Sequence, residues 1–362
     1  MSREQVIATF LDQAGWAAAR RAPLAGDASS RRYERLAGPR GKAVLMDWPA
    51  GPDAVVVPGR EAYSRIAHLA EDCRPFVAVG EYLRRLGLSA PELFAADLPH
   101  GLLLLEDLGD DLYGPAIDAG HGPTGEALDE MYAAAIETII VLQAQQTPKE
   151  LPIGNGDMHV VPHFDETVFR AEIDVLLDWY MPVVRQQEMN AEARSEYYAI
   201  WTSLKPLFDD GHKTLFLRDF HSPNMLWLAG REGVARIGLI DYQDALIGSR
   251  AYDVVSFLQD ARRDVPRERE TQMLDHYVAR ARHDLESFEE EAFRAAYAAL
   301  GAERAMRLIG LWPRLLKRDG KPHYMAHMPR SMDYLTRNLA HPALADLRRW
   351  AQANVLPDGL KI

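Results

Sequence analysis

Apolar positions fall into two rhythms along this chain, short runs separated by Gly and Pro in the first part and helical periodicity in the rest. Ser2 and Gln5 stand at the spacing of a capping box and predict a short amphipathic helix through Leu11. Residues 30–36 and 43–48, joined across Gly38-Pro39-Arg40-Gly41, predict a pair of strands. A helix is expected around residues 76–86, followed after Pro91 by an apolar strand at 102–106 that runs into Asp107-Leu108-Gly109. From Glu126 helical patterns take over, at 126–146, 166–180 and 191–208. Three short apolar runs interrupt them once, at 214–218, 224–228 and 237–241, with Gly230-Arg231-Glu232-Gly233 as a hairpin connection between the last two.

This order implies the α+β class. A small sheet-bearing lobe, a hinge strand and a larger, mainly helical lobe are expected, with the division between residues 1–108 and 109–362. No internal repeat or low-complexity linker marks separate modules.

Composition narrows the function. The formal charge of −12 comes from 53 acidic and 41 basic residues, and no basic stripe gathers that would neutralise nucleic-acid phosphates. Apolar runs such as 136–142 are far shorter than the roughly 20 residues of a membrane span. The N-terminus lacks the apolar core of a signal peptide, and Cys73 is the single cysteine, so a reducing, cytoplasmic setting is expected. No protein partner is evident.

The β interruption carries the chemistry. In Leu217-Arg218-Asp219-Phe220-His221-Ser222-Pro223-Asn224 an Asp precedes an Asn by five positions, and Asp241 follows after a hairpin. Kinases space their catalytic-loop Asp, metal-binding Asn and second metal-binding Asp in this way. On that pattern Asp219 orients the acceptor hydroxyl and takes its proton, while the Asn224 amide oxygen and the Asp241 carboxylate suit Mg2+. Asp253, at the start of the next helix, is expected to accept backbone N–H bonds from the catalytic loop and hold it rigid.

Taken together, LRDFHSPN, IDYQDA, YDVVSFLQD and LLLEDLGDDLY resemble the aminoglycoside phosphotransferase family, which shares the protein-kinase-like two-lobed fold. They are most similar to its branch of anomeric N-acetylmuramate/N-acetylglucosamine 1-kinases of bacterial cell-wall recycling. The resemblance runs from about Gly26 to Lys321. It implies ATP and Mg2+ as cofactors, a small sugar as acceptor, residues 26–32 as the loop over the ATP phosphates, and adenine contacts through the backbone of Glu106 to Leu108. Ser29 and Ser30 offer hydroxyl and N–H donors in that loop.

Two positions depart from the family pattern. Leu217 stands where a His is usual, and the phosphate-binding lysine of the third strand falls at Met46 or Asp47, neither of which binds phosphate. Lys42 is the only lysine before Lys149, so the cation that meets ATP is Lys42 or an arginine, with Arg31 or Arg32 preferred for their bidentate forks.

On the acceptor side, Arg218, His221, Gln243 and Asp244 are the nearest polar candidates. Trp179 and Tyr180 are candidates for an aromatic face, and Arg314, Arg318 and Lys321 for a substrate carboxylate. The pairs His159/His163 and His323/His327 have zinc-ligand spacing, but Pro162 breaks the first and the second has no third ligand. Another small-molecule kinase, for an aminoglycoside, a choline-like alcohol or another sugar, stays open at this point. So does a nucleotide-binding pseudokinase.

Overall fold

Four consecutive leucines, Leu102 to Leu105, are buried on both faces, and that makes their strand an inner one. The computed structural model describes residues 1–24, 31–51, 62–154, 156–209 and 211–356. Its chain divides into two compact units: residues 1–138, 148–162 and 224–245 form one, and 139–147, 163–223 and 246–362 the other.

In the first unit β1 (Arg20–Leu24), β2 (Arg32–Gly38), β3 (Gly41–Asp47), β4 (Leu93–Asp97) and β5 (Leu102–Glu106) form one sheet in the order β1-β2-β3-β5-β4. The expected β2–β3 hairpin is present, in register from Arg32 opposite Asp47 to Gly38 opposite Gly41. Helix α1 (Arg3–Gln13) carries the expected capping box and lays Ile7, Phe10 and Leu11 against Leu36, Leu45, Leu102 and Leu104. Burying such side chains is the main favourable term in the unit's stability.

Strands β1 and β4 were not evident from pattern. Arg20-Arg21-Ala22-Pro23-Leu24 has no apolar alternation and tolerates Pro23 because it lies at the sheet edge. The other edge strand, β4, pairs with β5 through an irregularity between Leu93 and Ala95.

The expected break after residue 108 does not coincide with the observed division. Strands β9 (Met225–Trp227) and β10 (Ile237–Leu239) belong to the first unit, because Trp227 donates its N–H to Asp111 O at 2.7 Å and Leu239 donates to Ser89 O at 2.8 Å. Helices α2 (Tyr63–Ile66) and α3 (Arg74–Arg85) complete the unit's central part, and β6 (Glu150–Gly154) with β7 (Asp157–Val160) adds an unanticipated hairpin.

The second unit is built around its longest helix, Glu290–Asp319. It packs against the helix Glu166–Val175, whose Phe169 and Ile173 share a core with Tyr197, Trp201, Met306 and Trp350. A further helix, Ala251–Leu258, is buried along all eight residues. Strand β8 (Lys213–Phe216) pairs with β11 (Leu246–Ser249) beside it. Among the described residues no helix is long and apolar enough to cross a membrane.

A charged cluster is set in this apolar surround. Glu172 and Glu303 have no exposure to solvent; Glu172 accepts from Arg218 Nη2 at 2.5 Å and meets Arg307 Nε at 3.6 Å. Burial raises both carboxyls, but Arg307 and Arg218 more than offset this for Glu172 and bring it below its ordinary value. Glu303 stays well above its ordinary value, through burial first and the Glu172 charge second.

The sign of the linkage follows. Above about pH 4.5 the unfolded chain releases the Glu303 proton while the folded chain keeps it, so this group's contribution to stability falls as pH rises. Glu303→Gln keeps a donor without the proton. Relative to wild type it is expected to gain stability from pH 5 to pH 8, by up to about 1.4 kcal/mol per pH unit, measured by urea unfolding. A difference independent of pH would contradict the proton retained on Glu303.

Candidate active site

Strand β8 delivers the chain to Leu217-Arg218-Asp219, and Arg218 there adopts φ 70°, a left-handed backbone rare for a residue with a side chain. Three neighbours hold it. Asp253, in the first turn of its helix, accepts the N–H groups of Leu217 at 2.7 Å and Arg218 at 3.0 Å, as expected from sequence. Ser256 Oγ donates to Arg218 O at 3.1 Å, and Glu172 holds the Arg218 side chain. Burial pushes the Asp253 carboxyl up to about 7 against the lowering effect of the two N–H donors.

Seven residues after Asp253, Asp260 secures the other end of the loop by accepting from Ser222 N–H at 2.9 Å and Ser222 Oγ at 2.5 Å. This second anchor was missed, although its two-turn spacing on YDVVSFLQD is a readable signal. Between the anchors Asp219 remains partly exposed. Burial alone would raise its pKa, but the charges of His221, Arg307, Arg218 and Arg304 bring it below the ordinary Asp value, so it is ionised at neutral pH.

His221 is buried, and burial lowers its pKa against the opposing pull of Asp260 and Asp219. Arg218 departs from expectation. Its side chain is 2% exposed and turned to Glu172, so it holds the loop and does not face an acceptor. Tyr180 is likewise a core residue that donates to Val355 O at 2.8 Å.

In the first unit Asn224 immediately precedes β9, and Asp241 follows β10 with φ 61°. Ile240 N–H donates to Asn224 O at 3.1 Å, which fixes the two segments side by side, and Asn224 Nδ2 lies 3.4 Å from Asp241 Oδ2. Tyr242 stacks on Phe76 with ring centroids 4.6 Å apart, so the backbone after Asp241 is pinned to α3. That contact needs Gly80: a Cβ there would stand 2.4 Å from the Tyr242 hydroxyl.

Arg31 reaches the Asp241 turn. Its Nη2 lies 2.5 Å from Asp241 Oδ1, and its guanidinium sits over the Trp48 ring at 4.9 Å. Burial works against the charge, but Asp241 and its neighbours outweigh it and keep Arg31 protonated. Arg32 is exposed opposite Asp47 on the sheet, and Lys42 is exposed near the β2–β3 turn. Met46 is buried and Asp47 pairs with Arg3.

Gln243 donates to Asp241 Oδ1 at 3.1 Å and to Asp244 Oδ2 at 3.0 Å, while Asp244 Oδ1 accepts Ala70 N–H at 2.6 Å. Both acceptor candidates therefore also brace the Asp241 turn. Glu106 ion-pairs with Arg231 at 2.5 Å and donates its N–H to Glu92 O at 2.8 Å. Leu108 approaches Gly238 of β10. Ser29, Ser30 and the rest of the expected phosphate loop before Arg31 lie outside the described residues.

The chain matches the model of the phosphotransferase enzyme family over residues 20–296. An N-acetylmuramate/N-acetylglucosamine kinase of Caulobacter vibrioides is 39% identical, with 96% of this chain and 95% of that protein covered. One of the same name from Pseudomonas aeruginosa is 31% identical, with coverages of 90% and 86%. Among solved structures, a choline kinase from Cryptosporidium parvum superposes with a TM-score of 0.57 at 11% identity, covering 96% of this chain and 99% of that one. An aminoglycoside phosphotransferase in a ternary complex with streptomycin and ATP gives 0.51 at 15% identity, covering 85% and 89%. The α+β, protein-kinase-like fold expected from sequence is therefore shared with these enzymes, and the chain belongs to the phosphotransferase enzyme family.

Proposed function

We propose that this chain transfers the γ-phosphoryl group of ATP to the anomeric hydroxyl of N-acetylmuramate and N-acetylglucosamine, in the cytoplasm, as a step in peptidoglycan recycling. The observation that carries the reading is the 39% identity, across 96% of the chain, to a kinase named for those two sugars.

In this reading Asp219 orients the acceptor hydroxyl and receives its proton, a role its depressed pKa supports by keeping it ionised. Asn224 Oδ1 and the Asp241 carboxylate would hold Mg2+; they are neighbouring oxygen donors, which fits a hard divalent cation. The ion, when bound, neutralises charge on the phosphates. Arg31 serves where the family has its lysine, and its planar fork is suited to two phosphate oxygens. Ser29 and Ser30 add donors from the preceding loop, and the Glu106 carbonyl and Leu108 N–H take the adenine edge. His221 is kept as a contact to acceptor hydroxyls.

ATP consumption screened against amino sugars, aminoglycosides and amino alcohols tests the assignment. Turnover with the two N-acetyl amino sugars is expected. Turnover restricted to aminoglycosides would overturn the substrate, and ATP binding without turnover of any acceptor would point to a pseudokinase. For the cation, Arg31→Ala is expected to raise the KM for ATP and lower kcat by about 10-fold or more, with partial recovery in Arg31→Lys and little change in Arg32→Ala. Equal effects of the two alanine variants would contradict the assignment to Arg31.

A further inference from the structure

The longest helix of the second unit, Glu290–Asp319, buries Arg304 to 3% exposure against the end of the helix Ala251–Leu258. There Arg304 Nη1 donates to Gln259 O at 3.2 Å. Gln259 caps that helix, where carbonyls lack a partner within the helix and the negative end of its dipole favours a cation. The Gln259 side chain is locked in place by Glu270 at 2.8 Å and Asn338 at 3.0 Å. The next residue is Asp260, which holds Ser222 of the catalytic loop. Arg304 thus stands directly behind the loop's second anchor.

Its charge has no close answer. Arg304 Nε is buried without a hydrogen-bond partner, and among the described residues no carboxylate forms an ion pair with Arg304. The other two arginines of this region differ, because Arg307 and Arg218 both meet Glu172. A charge taken out of water is costly unless a negative group compensates it, and an arginine does not shed its proton to escape that cost. The carboxylates whose charge reaches Arg304 are Asp219 and Asp260. Asp260 is already engaged by Ser222 and the Arg262 N–H. Around Asp219 stand Arg218 and His221 of its own loop, Asp253 of the helix Ala251–Leu258, and Arg304 and Arg307 of the long helix. Asp253 repels the Asp219 charge, and the arginines oppose that repulsion.

We propose that Arg304 is a positioning residue for phosphoryl transfer: its unpaired charge behind the catalytic loop holds Asp219 as a carboxylate, and its bond to Gln259 O keeps the Asp260 anchor in place. This rests on the kinase reading for the role of Asp219, and adds what keeps that role available in an apolar surround. All the groups involved belong to the second unit.

Carbon-13 NMR of full-length chains labelled at the Asp carboxyls, with the Asp219 signal assigned by its loss in Asp219→Asn, follows the protonation of Asp219 without any substrate. Arg304→Gln keeps a donor for Gln259 O and removes the charge. It is expected to raise the Asp219 midpoint by about one pH unit or more, a tenfold or larger change in proton affinity. The acid limb of kcat/KM is expected to move up by the same amount, and Arg304→Lys, which keeps the charge, to leave both near wild type. A residue that only stabilised the fold would lower activity and move neither. An unmoved midpoint in Arg304→Gln would overturn the inference. So would a midpoint raised by a unit or more in Arg304→Lys, the variant that decides if Arg304→Gln fails to fold. Absence of wild-type turnover with any acceptor, with the NMR midpoints as expected, would overturn the kinase reading and leave the hold of Arg304 on the Asp219 charge standing.

Discussion

Among the side-chain-bearing residues in left-handed backbone are Arg218 and Asp241, and the positions of the candidate catalytic groups depend on keeping them there. Such a conformation costs roughly 1–3 kcal/mol at each site and persists only where surrounding contacts over-determine it. At Arg218 the contacts are Asp253 on two N–H groups, Ser256 on the carbonyl and Glu172 on the guanidinium. At Asp241 they are Arg31, Gln243 and the stacking of Tyr242 on Phe76. Each unit thus carries its own restraint on its own part of the chemistry.

Each restraint includes one ion pair, Glu172 with Arg218 and Arg31 with Asp241, formed against the cost of burial. Glu172, Asp219 and Asp260 lie in surroundings that disfavour a charged carboxylate, yet adjacent cations and donors keep all three below their ordinary values. Glu303 and Asp253 are shifted the other way, because burial dominates there. A site that needs one ionised carboxylate at Asp219 thus sits among acids that differ in protonation, and the differences come from neighbours rather than residue type.

Much of this was legible in the sequence where the signal is local. The spacing of Asp219, Asn224 and Asp241, the Asp253 anchor and the β2–β3 and β9–β10 hairpins rest on short-range patterns that tertiary contacts then reinforce. What was hidden is long-range. Nothing in sequence distinguishes Arg31 from Arg32; the strand's alternation does, by leaving Arg32 exposed while Arg31 meets Asp241. The Glu172–Glu303 pair joins helices more than a hundred residues apart, and Gly80 makes sense only once Tyr242 is seen against α3. Arg218 was a candidate for the acceptor by its nearness to Asp219 in sequence, whereas Glu172 draws its side chain into the core.

The central claim is phosphoryl transfer from ATP to an anomeric sugar hydroxyl, organised around Asp219 and Asp241. Phosphorus NMR of the product formed from Mg-ATP and N-acetylglucosamine tests it most directly. The account predicts a phosphomonoester signal coupled to the anomeric proton, appearing in step with ADP. Phosphate attached at another carbon, or ADP formed with inorganic phosphate alone, would contradict it.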